Sequence, residues 1–500
     1  MSTHLPDVPG APARSATHWG AFSARRRAEG VLDIHPHPAD EAPSALLANL
    51  AAATAARGRV LRPHVRRGWW EDGPGPDARR GRDGWLTVGW DDVLDRLAAE
   101  FARVRDRHGN AAIFGGSYGW GSAGRFHHAQ SQVHRFHNAI GGCTRSVATY
   151  SHGAAEVLLP HLVGDLAPLE NPTSWSVVAE TTELLVCFGG LPAKNSAVSY
   201  GGTTRHVVPA ALRRMRERGA RFALVSPLRD DLAADLDVDW WPVVPGTDTA
   251  LLLGLCSALV QESLHDEDFL RRCCTGVEEF LDALRGGDDG VAKTPEWAAG
   301  ITGVDAGRIR RLARDMATSR TLVTVSWSLQ RARHGEQPVW AALALAALLG
   351  QIGLPGGGFG HGYASTGGVG RPVRRHALPT LPQGANPVRG RIPVARIADA
   401  LLHPGEEYDF DGGRRRYPDL RLVHWCGGNP FHHHQDLARL REAFTRPDTV
   451  VVHEPFWTAT ARHADVVLPS TTPLERDDVS AARYDDHLLV MERVHEPLGE

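Results

Sequence analysis

The residues with the clearest chemical character lie between positions 115 and 164. Five glycines fall within 115–124, in the order Gly-Gly-Ser-Tyr-Gly-Trp-Gly-Ser-Ala-Gly. No packed helix or strand tolerates that density, because every glycine costs extra backbone entropy on ordering. A loop is expected, and it carries Tyr118 and Trp120, whose hydroxyl and indole N–H can donate to a ligand. Further on, Thr-Tyr-Ser-His-Gly-Ala-Ala at 149–155 opens a helix predicted over 152–163. Ser151 at its start has two readings. It is an ordinary N-cap, a position serine often fills, or its alkoxide, favoured by the positive end of the helix dipole, ligates a hard high-valent metal.

The elements that position these groups follow from apolar periodicity. A short apolar strand at 111–114 delivers the chain to the glycine loop. The helix after it carries Ala129, Val133, Phe136 and Ile140 on one stripe, with His127 and His134 projecting opposite. His134 and His137 have the spacing of helix-borne metal ligands, but in a chain with 26 histidines they read as a polar helix face.

Strand, loop and helix then recur. The strand at 184–188 runs into Gly189 to Asn195 with Lys194, and that at 222–225 into Ser226 and Asp230. The strand at 241–244 runs into Pro245 and Gly246, with Asp248 opening a helix. The strand at 321–325 leads to Trp327, Gln330 and Arg331, and that at 420–425 to Gly428 and Asn429. A last unit at 450–453 leads to Glu454, Trp457 and Thr458, with a strand at 465–468 beyond. Short apolar strands alternating with helices predict an α/β protein with doubly wound parallel sheets.

Ligands of such sheets bind at the carboxyl ends of the strands, among loops and helix N-termini. Glycine amides, hydroxyls, amides and one lysine suit a phosphorylated heterocycle such as a nucleotide, and Asp248, Glu454 and Asp477 could accept the N–H donors of a guanine. No Gly-x-Gly-x-x-Gly follows a strand and no Gly-x-x-x-x-Gly-Lys-Ser/Thr occurs, which weakens a plain NAD or ATP reading. The glycine run at 355–362 follows a helix over 339–351 and reads as a tight turn. The tract His432 to His434, by itself a possible metal tract, reads as part of a cofactor loop with His433 and Gln435.

Composition narrows the classes. Hydrophobic residues make up 42% and charged residues 23%, as in ordinary globular proteins, and 500 residues exceed one core. A formal charge of −3 leaves no basic footprint for nucleic acid. Lys194 and Lys293 are the only lysines. The six cysteines form no Cys-x-x-Cys, which argues against a zinc ribbon or a sequence-local iron–sulfur motif. Arg25-Arg26-Arg27 lacks the apolar run of an export signal, and the most apolar stretch, 340–349, is shorter than the roughly 20 residues that span a bilayer. A cytoplasmic protein without a membrane span is expected.

Gly-Ser-Tyr-Gly-Trp, Gly-Arg-Phe-His-His-Ala-Gln, Tyr-Ser-His-Gly-Ala-Ala and Leu-Pro-His-Leu-Val-Gly together resemble the molybdenum oxotransferases of the dimethyl sulfoxide reductase family, in particular its biotin sulfoxide reductase branch. The resemblance extends over Pro-Gly-Thr-Asp-Thr-Ala at 245–250, Ser-Trp-Ser-Leu-Gln-Arg at 326–331, Gly-Gly-Asn-Pro at 427–430 and His-Glu-Pro-Phe-Trp-Thr-Ala at 453–459. It implies two molybdopterin guanine dinucleotides held by the loops above, with Gly119 and Trp120 among their contacts. It also implies that Ser151 is the protein ligand of molybdenum, in preference to the N-cap reading. Tyr118 and Trp120 then hydrogen-bond the oxygen being transferred, and Arg331 sits at the substrate funnel. Members specialised for trimethylamine N-oxide lack the tyrosine matching Tyr118, which tilts the expected substrate towards S-oxides such as biotin, methionine or dimethyl sulfoxide.

With no cysteine before Cys143, where cluster-bearing relatives place theirs, no iron–sulfur cluster is expected and electrons come from a separate donor. A monomer is expected. The domain plan is a tail and small β domain over 1–56, an α/β domain split between 57–166 and 385–490, and an inserted nucleotide-binding α/β domain over 167–384. Residues 491–500 would begin a C-terminal barrel region that is cut off. That expectation leaves two alternatives to the reductase: an inactive cofactor-binding remnant, and a molybdopterin enzyme of different substrate range.

Overall fold

A computed structural model describes residues 12–26, 32–54, 57–117, 122–233, 235–287, 289–373 and 377–499. Tyr118, Gly119 and Trp120 lie outside the described residues. The chain divides into two compact units, one formed by 1–150, 200–205 and 375–500, the other by 151–199 and 206–374.

The first unit is built on a six-stranded sheet in the order Trp85–Thr87, His64–Arg66, Val466–Pro469, Thr449–Glu454, Leu422–Cys426, Ile113–Gly116. The last four strands run parallel and the first two pair antiparallel. Val450, Val451 and Val452 are all buried although they alternate faces, the mark of a parallel sheet covered on both sides. In register, His424 lies between Gly115 and Val451, and Cys426 lies beside His453. An antiparallel meander of Ala13–Thr17, Gly20–Arg26 and Leu32–Pro36 forms the expected small β element.

Two stretches of this unit differ from their sequence reading. Residues 57–85, whose Arg, Gly, Asp and Pro suggest an exposed loop, contain the strand His64–Arg66 and the helix Arg67–Asp72. They bury Trp69 and Arg66 to 1% exposure and Arg80 to 2%. Those guanidiniums are paired with carboxylates, and a paired charge can be buried where a lone one cannot. The helix Ala129–Ala139 buries Val133 of the apolar stripe together with His137 and leaves Phe136 43% exposed, so its packed face only partly follows that stripe. Gly115 explains the exchange, since a Cβ there would lie 2.7 Å from His137 Cδ2.

The second unit holds an all-parallel five-stranded sheet, in the order Val238–Trp241, Arg221–Val225, Leu184–Phe188, Thr321–Val325, Gly358–His361. The strand expected over 241–244 lies at Val238–Trp241, because Pro242 cannot donate to the ladder. The glycine run read as a turn supplies the edge strand Gly358–His361. Helices Asp248–Gln261 and Glu336–Leu348 pack on the sheet and are buried on most sides, which suits sequences that are apolar nearly all round. No helix among the described residues is long and apolar enough to cross a membrane.

Candidate cofactor site

In the second unit the helix Gly153–Val163 begins one residue later than its sequence suggests, and His152 is its N-cap, without a side-chain capping bond. Ser151 therefore precedes the cap. The capping is done from elsewhere: Gln330 Oε1 accepts from the Ala154 amide at 2.8 Å, while Gln330 Nε2 donates to the Ser151 carbonyl at 3.2 Å. One buried amide thus satisfies the helix end and holds Ser151 by its backbone. The serine hydroxyl carries neither duty. Arg331 Nη2 lies 3.5 Å from the same carbonyl. The ring of Trp327 packs edge-on against His152 with centroids 4.7 Å apart.

Around this point the unit leaves buried polar atoms unmatched. Trp327 Nε1, both ring nitrogens of His361, Ser199 Oγ and Thr366 Oγ1 meet no hydrogen-bond partner among the described residues. Burial, and then the neighbouring His152, pushes the His361 imidazole down to about 3. Buried polar atoms are almost always bonded, so a group of orphans marks a place for a polar ligand. Gly189 has φ +76°, and a Cβ there would lie 2.4 Å from Ser326 Oγ, so only glycine fits this turn. Ser226 Oγ donates to Asp231 Oδ2 at 2.6 Å, whereas Asp230 is exposed. Lys194, Asn195, Pro245 and Gly246 are exposed in their loops. Asp248 is buried to 6% exposure at the first turn of its helix, and desolvation raises its carboxyl to about 6.

The first unit contributes a second set. Gly427 and Gly428, both at positive φ, turn the chain out of the strand Leu422–Cys426. Asn429 Oδ1 accepts from Thr460 N at 3.2 Å and from Thr460 Oγ1, a brace between two loops. Thr458 caps the helix Ala459–Arg462 through the Ala461 amide. Trp457 packs edge-on against His64 and Trp85, each at 5.0 Å. Gln435 accepts from the Tyr150 hydroxyl at 3.1 Å, and His433 is exposed. Glu454 ends its strand at 6% exposure, its carboxylate accepts no hydrogen bond from a described residue, and desolvation raises it to about 8. Asp477 is exposed and accepts from the Arg493 amide.

Sequence reasoning missed Asp478, the neighbour of Asp477. Its carboxylate accepts from the amides of Arg125, Phe126 and His127 at 2.9–3.1 Å and from His127 Nδ1 at 2.9 Å. Burial disfavours the anion, but the His127 ring and these amides outweigh it and hold the carboxyl below its usual range. Asp478 thereby fixes the exit of the glycine loop, and Gly124 leaves it room: a Cβ there would meet Asp478 Oδ2 at 2.1 Å. Gly124 was the available signal, but its partner is hundreds of residues away, beyond any local pattern.

The molybdopterin oxidoreductase family profile matches residues 59–500, and the profile of its N-terminal domain matches 15–54. The chain is 50% identical over 471 residues to biotin sulfoxide reductase of Cereibacter sphaeroides, covering 94% of this chain and 63% of that protein. It is 40% identical over 499 residues to dimethyl sulfoxide/trimethylamine N-oxide reductase of the same organism, covering 97% and 61% respectively. The chain thus spans somewhat less than two thirds of the length of these relatives. Acetylene hydratase from Pelobacter acetylenicus shares the fold with a TM-score of 0.63 at 19% identity, covering 97% of this chain and 67% of that one. With the family profile covering most of its length, the chain belongs to the molybdopterin oxidoreductase family.

Proposed function

We propose that the protein is a molybdenum-dependent reductase of S-oxides, with N-oxides as alternative substrates. Two electrons and two protons convert R2S=O to R2S and water. Family membership implies a molybdenum–pterin cofactor, which supplies the two-electron redox couple when bound. The orphaned donors and acceptors around Trp327 and His361 suit a polar heterocycle of that kind. Its guanine dinucleotide form, the absence of an iron–sulfur cluster and the separate electron donor are part of the proposal. So is the domain plan, with the inserted nucleotide-binding domain over 167–384.

Ser151 is assigned as the protein's ligand to molybdenum. The observation that carries this is the Gln330 brace, which caps the helix and leaves the Ser151 hydroxyl without a bond to any described residue. At a helix N-terminus its alkoxide is favoured by the dipole. Tyr118 and Trp120 donate hydrogen bonds to the substrate oxygen, and Tyr118 can pass a proton to it. Arg331 lies beside Ser151 on the substrate's approach. Asp248 and Glu454, both desolvated, accept from the N–H edge of a guanine, which compensates their burial. The remaining glycine, amide and hydroxyl residues of the strand-end loops contact the pterins and phosphates.

Two measurements test the reading. Protein purified from a host that makes the guanine dinucleotide cofactor is expected to carry stoichiometric molybdenum, and Ser151→Ala to lose it or alter its absorption and paramagnetic spectra. An unaltered spectrum with full metal in Ser151→Ala would remove the serine from the coordination sphere. Tyr118→Phe is expected to slow sulfoxide turnover more than N-oxide turnover; unchanged sulfoxide kinetics would remove Tyr118 from its role.

A further inference from the structure

The packed face of the helix Ala129–Ala139 brings His137 onto a cluster that the cofactor reading does not use. His424 and Cys426 project from the same face of the strand Leu422–Cys426, and His453 projects from the neighbouring strand in register with Cys426. One ligand atom from each of His424, Cys426 and His453 lies within 4.8 Å of the others. Cys426 Sγ is 3.6 Å from His424 Nε2. Behind them, His137 Nε2 lies 3.1 Å from His424 Nδ1.

We propose that His424, Cys426 and His453 form a binding site for a thiophilic first-row transition-metal ion, of which zinc is the representative, with His137 as the positioning residue for His424. Tetrahedral bonds of about 2.0–2.1 Å to nitrogen and 2.3 Å to sulfur place ligand atoms about 3.5 Å apart. The Nε2–Sγ pair already has that separation, and small rotations of the His453 side chain complete the set. Two imidazoles and one thiolate leave a fourth position for water or another ligand. Binding replaces the Cys426 S–H by a metal–sulfur bond and releases its proton to solvent, with no change of oxidation state.

Two further observations point to a ligand rather than to packing alone. The rings sit among apolar neighbours, with Phe101 and Phe136 each 5.6 Å from His424. Yet among the described residues the His424 ring is hydrogen-bonded only by His137 and the weakly bonding Cys426 thiol. Burial of several imidazoles with so few hydrogen bonds is costly unless something satisfies them. Finally, the His137–His424 contact pairs one ring nitrogen of each, and which of the two donates sets the tautomer. When His424 Nδ1–H donates to His137 Nε2, the lone pair of His424 Nε2 faces Cys426, the arrangement by which an outer histidine orients a metal ligand.

The test uses the full chain freed of metal and titrated with cobalt(II), then with zinc(II). The expected result is a thiolate-to-cobalt charge-transfer band with intense visible bands of a tetrahedral site, bleached by zinc. Cys426→Ser should abolish the charge-transfer band, and His453→Ala should weaken binding at least tenfold. Cys273→Ser and His108→Ala, which alter exposed residues elsewhere, should leave both unchanged. His137→Leu should lower affinity about 10–100-fold, the usual range for an outer-shell partner, while His137→Gln, which keeps an acceptor, should recover part of it. Zinc should raise the melting temperature of the parent but not of Cys426→Ser, which separates loss of the site from loss of the fold. A band that survives Cys426→Ser, or disappears in Cys273→Ser or His108→Ala, would overturn the proposal. So would a folded parent that binds neither ion, which would leave the cluster as a hydrogen-bonded wall of the fold.

Discussion

Asp465, just before the strand Val466–Pro469, and Glu454, at the end of its parallel neighbour Thr449–Glu454, meet opposite surroundings. Asp465 stands at the amino end, at 0% exposure, and accepts from Arg66 Nε at 2.8 Å, Arg80 Nε at 2.9 Å and the Val450 amide at 2.8 Å. Arg66 reaches on to Asp77 and Asp83. Glu454 stands at the carboxyl end, nearly as buried, with no donor from a described residue. Asp248, in the other unit, matches Glu454: buried, desolvated and supported only by the amide of its own residue. The contrast separates two uses of a buried carboxylate. A fully satisfied one closes the fold, and an unsatisfied one is a debt that a ligand discharges.

The largest effect expected from this contrast is at Asp465. Asp465→Ala leaves Arg66 and Arg80 buried and underpaired, and should destabilise the protein by about 3–5 kcal/mol in denaturant unfolding. A loss below about 1 kcal/mol would erase the distinction between the two carboxylate environments.

The opposite sign is expected at Asp248. Its folded-state carboxyl is raised to about 6, so the folded protein holds the proton more tightly than the unfolded chain does. The cofactor-free protein should therefore have this contribution intact below the unfolded value of 3.8 and lose it as pH rises through about 6. The loss at neutral pH is on the order of 2–3 kcal/mol. Asp248→Asn should flatten that slope and stabilise the cofactor-free protein, while weakening retention of a guanine-bearing cofactor. If the variant is instead less stable at pH 7 without cofactor, Asp248 belongs with Asp465.

The smallest of the three concerns the brace. Gln330→Ala removes the acceptor for the Ala154 amide and should cost about 1 kcal/mol, the usual worth of a helix cap. It should also loosen Ser151 and lower molybdenum occupancy without changing the fold by circular dichroism. Unchanged occupancy would confine Gln330 to capping.

Much of the sheet architecture was legible locally. The strands Leu184–Phe188, Thr321–Val325 and Thr449–Glu454 are short apolar runs, the latter two rich in β-branched residues, and that is what a covered parallel strand requires. Gly428, Gly189 and Asp248 were legible as turn and helix-start chemistry. Less legible was what each side chain does. Asn429 and Ser226 read as ligand contacts, and nothing local shows that their oxygens also bond Thr460 and Asp231. His137 reads as a polar helix face, because nothing in its own helix reveals that Gly115 clears space beneath it.

By itself, the order of residues determined where strands and helices form and which loops end on carboxyl-terminal edges, since those depend on periodicity and turn chemistry over a few residues. Tertiary structure alone decided which polar groups are satisfied. Arg80 meets Asp465 across 385 residues and Gln330 reaches Ser151 across 179, and in each case the partner determines whether a group is a brace, a buried ion or a vacancy for a ligand. The physical reason is that hydration is lost only when distant segments close over a group, and the cost or gain then rests on whichever neighbour the fold supplies.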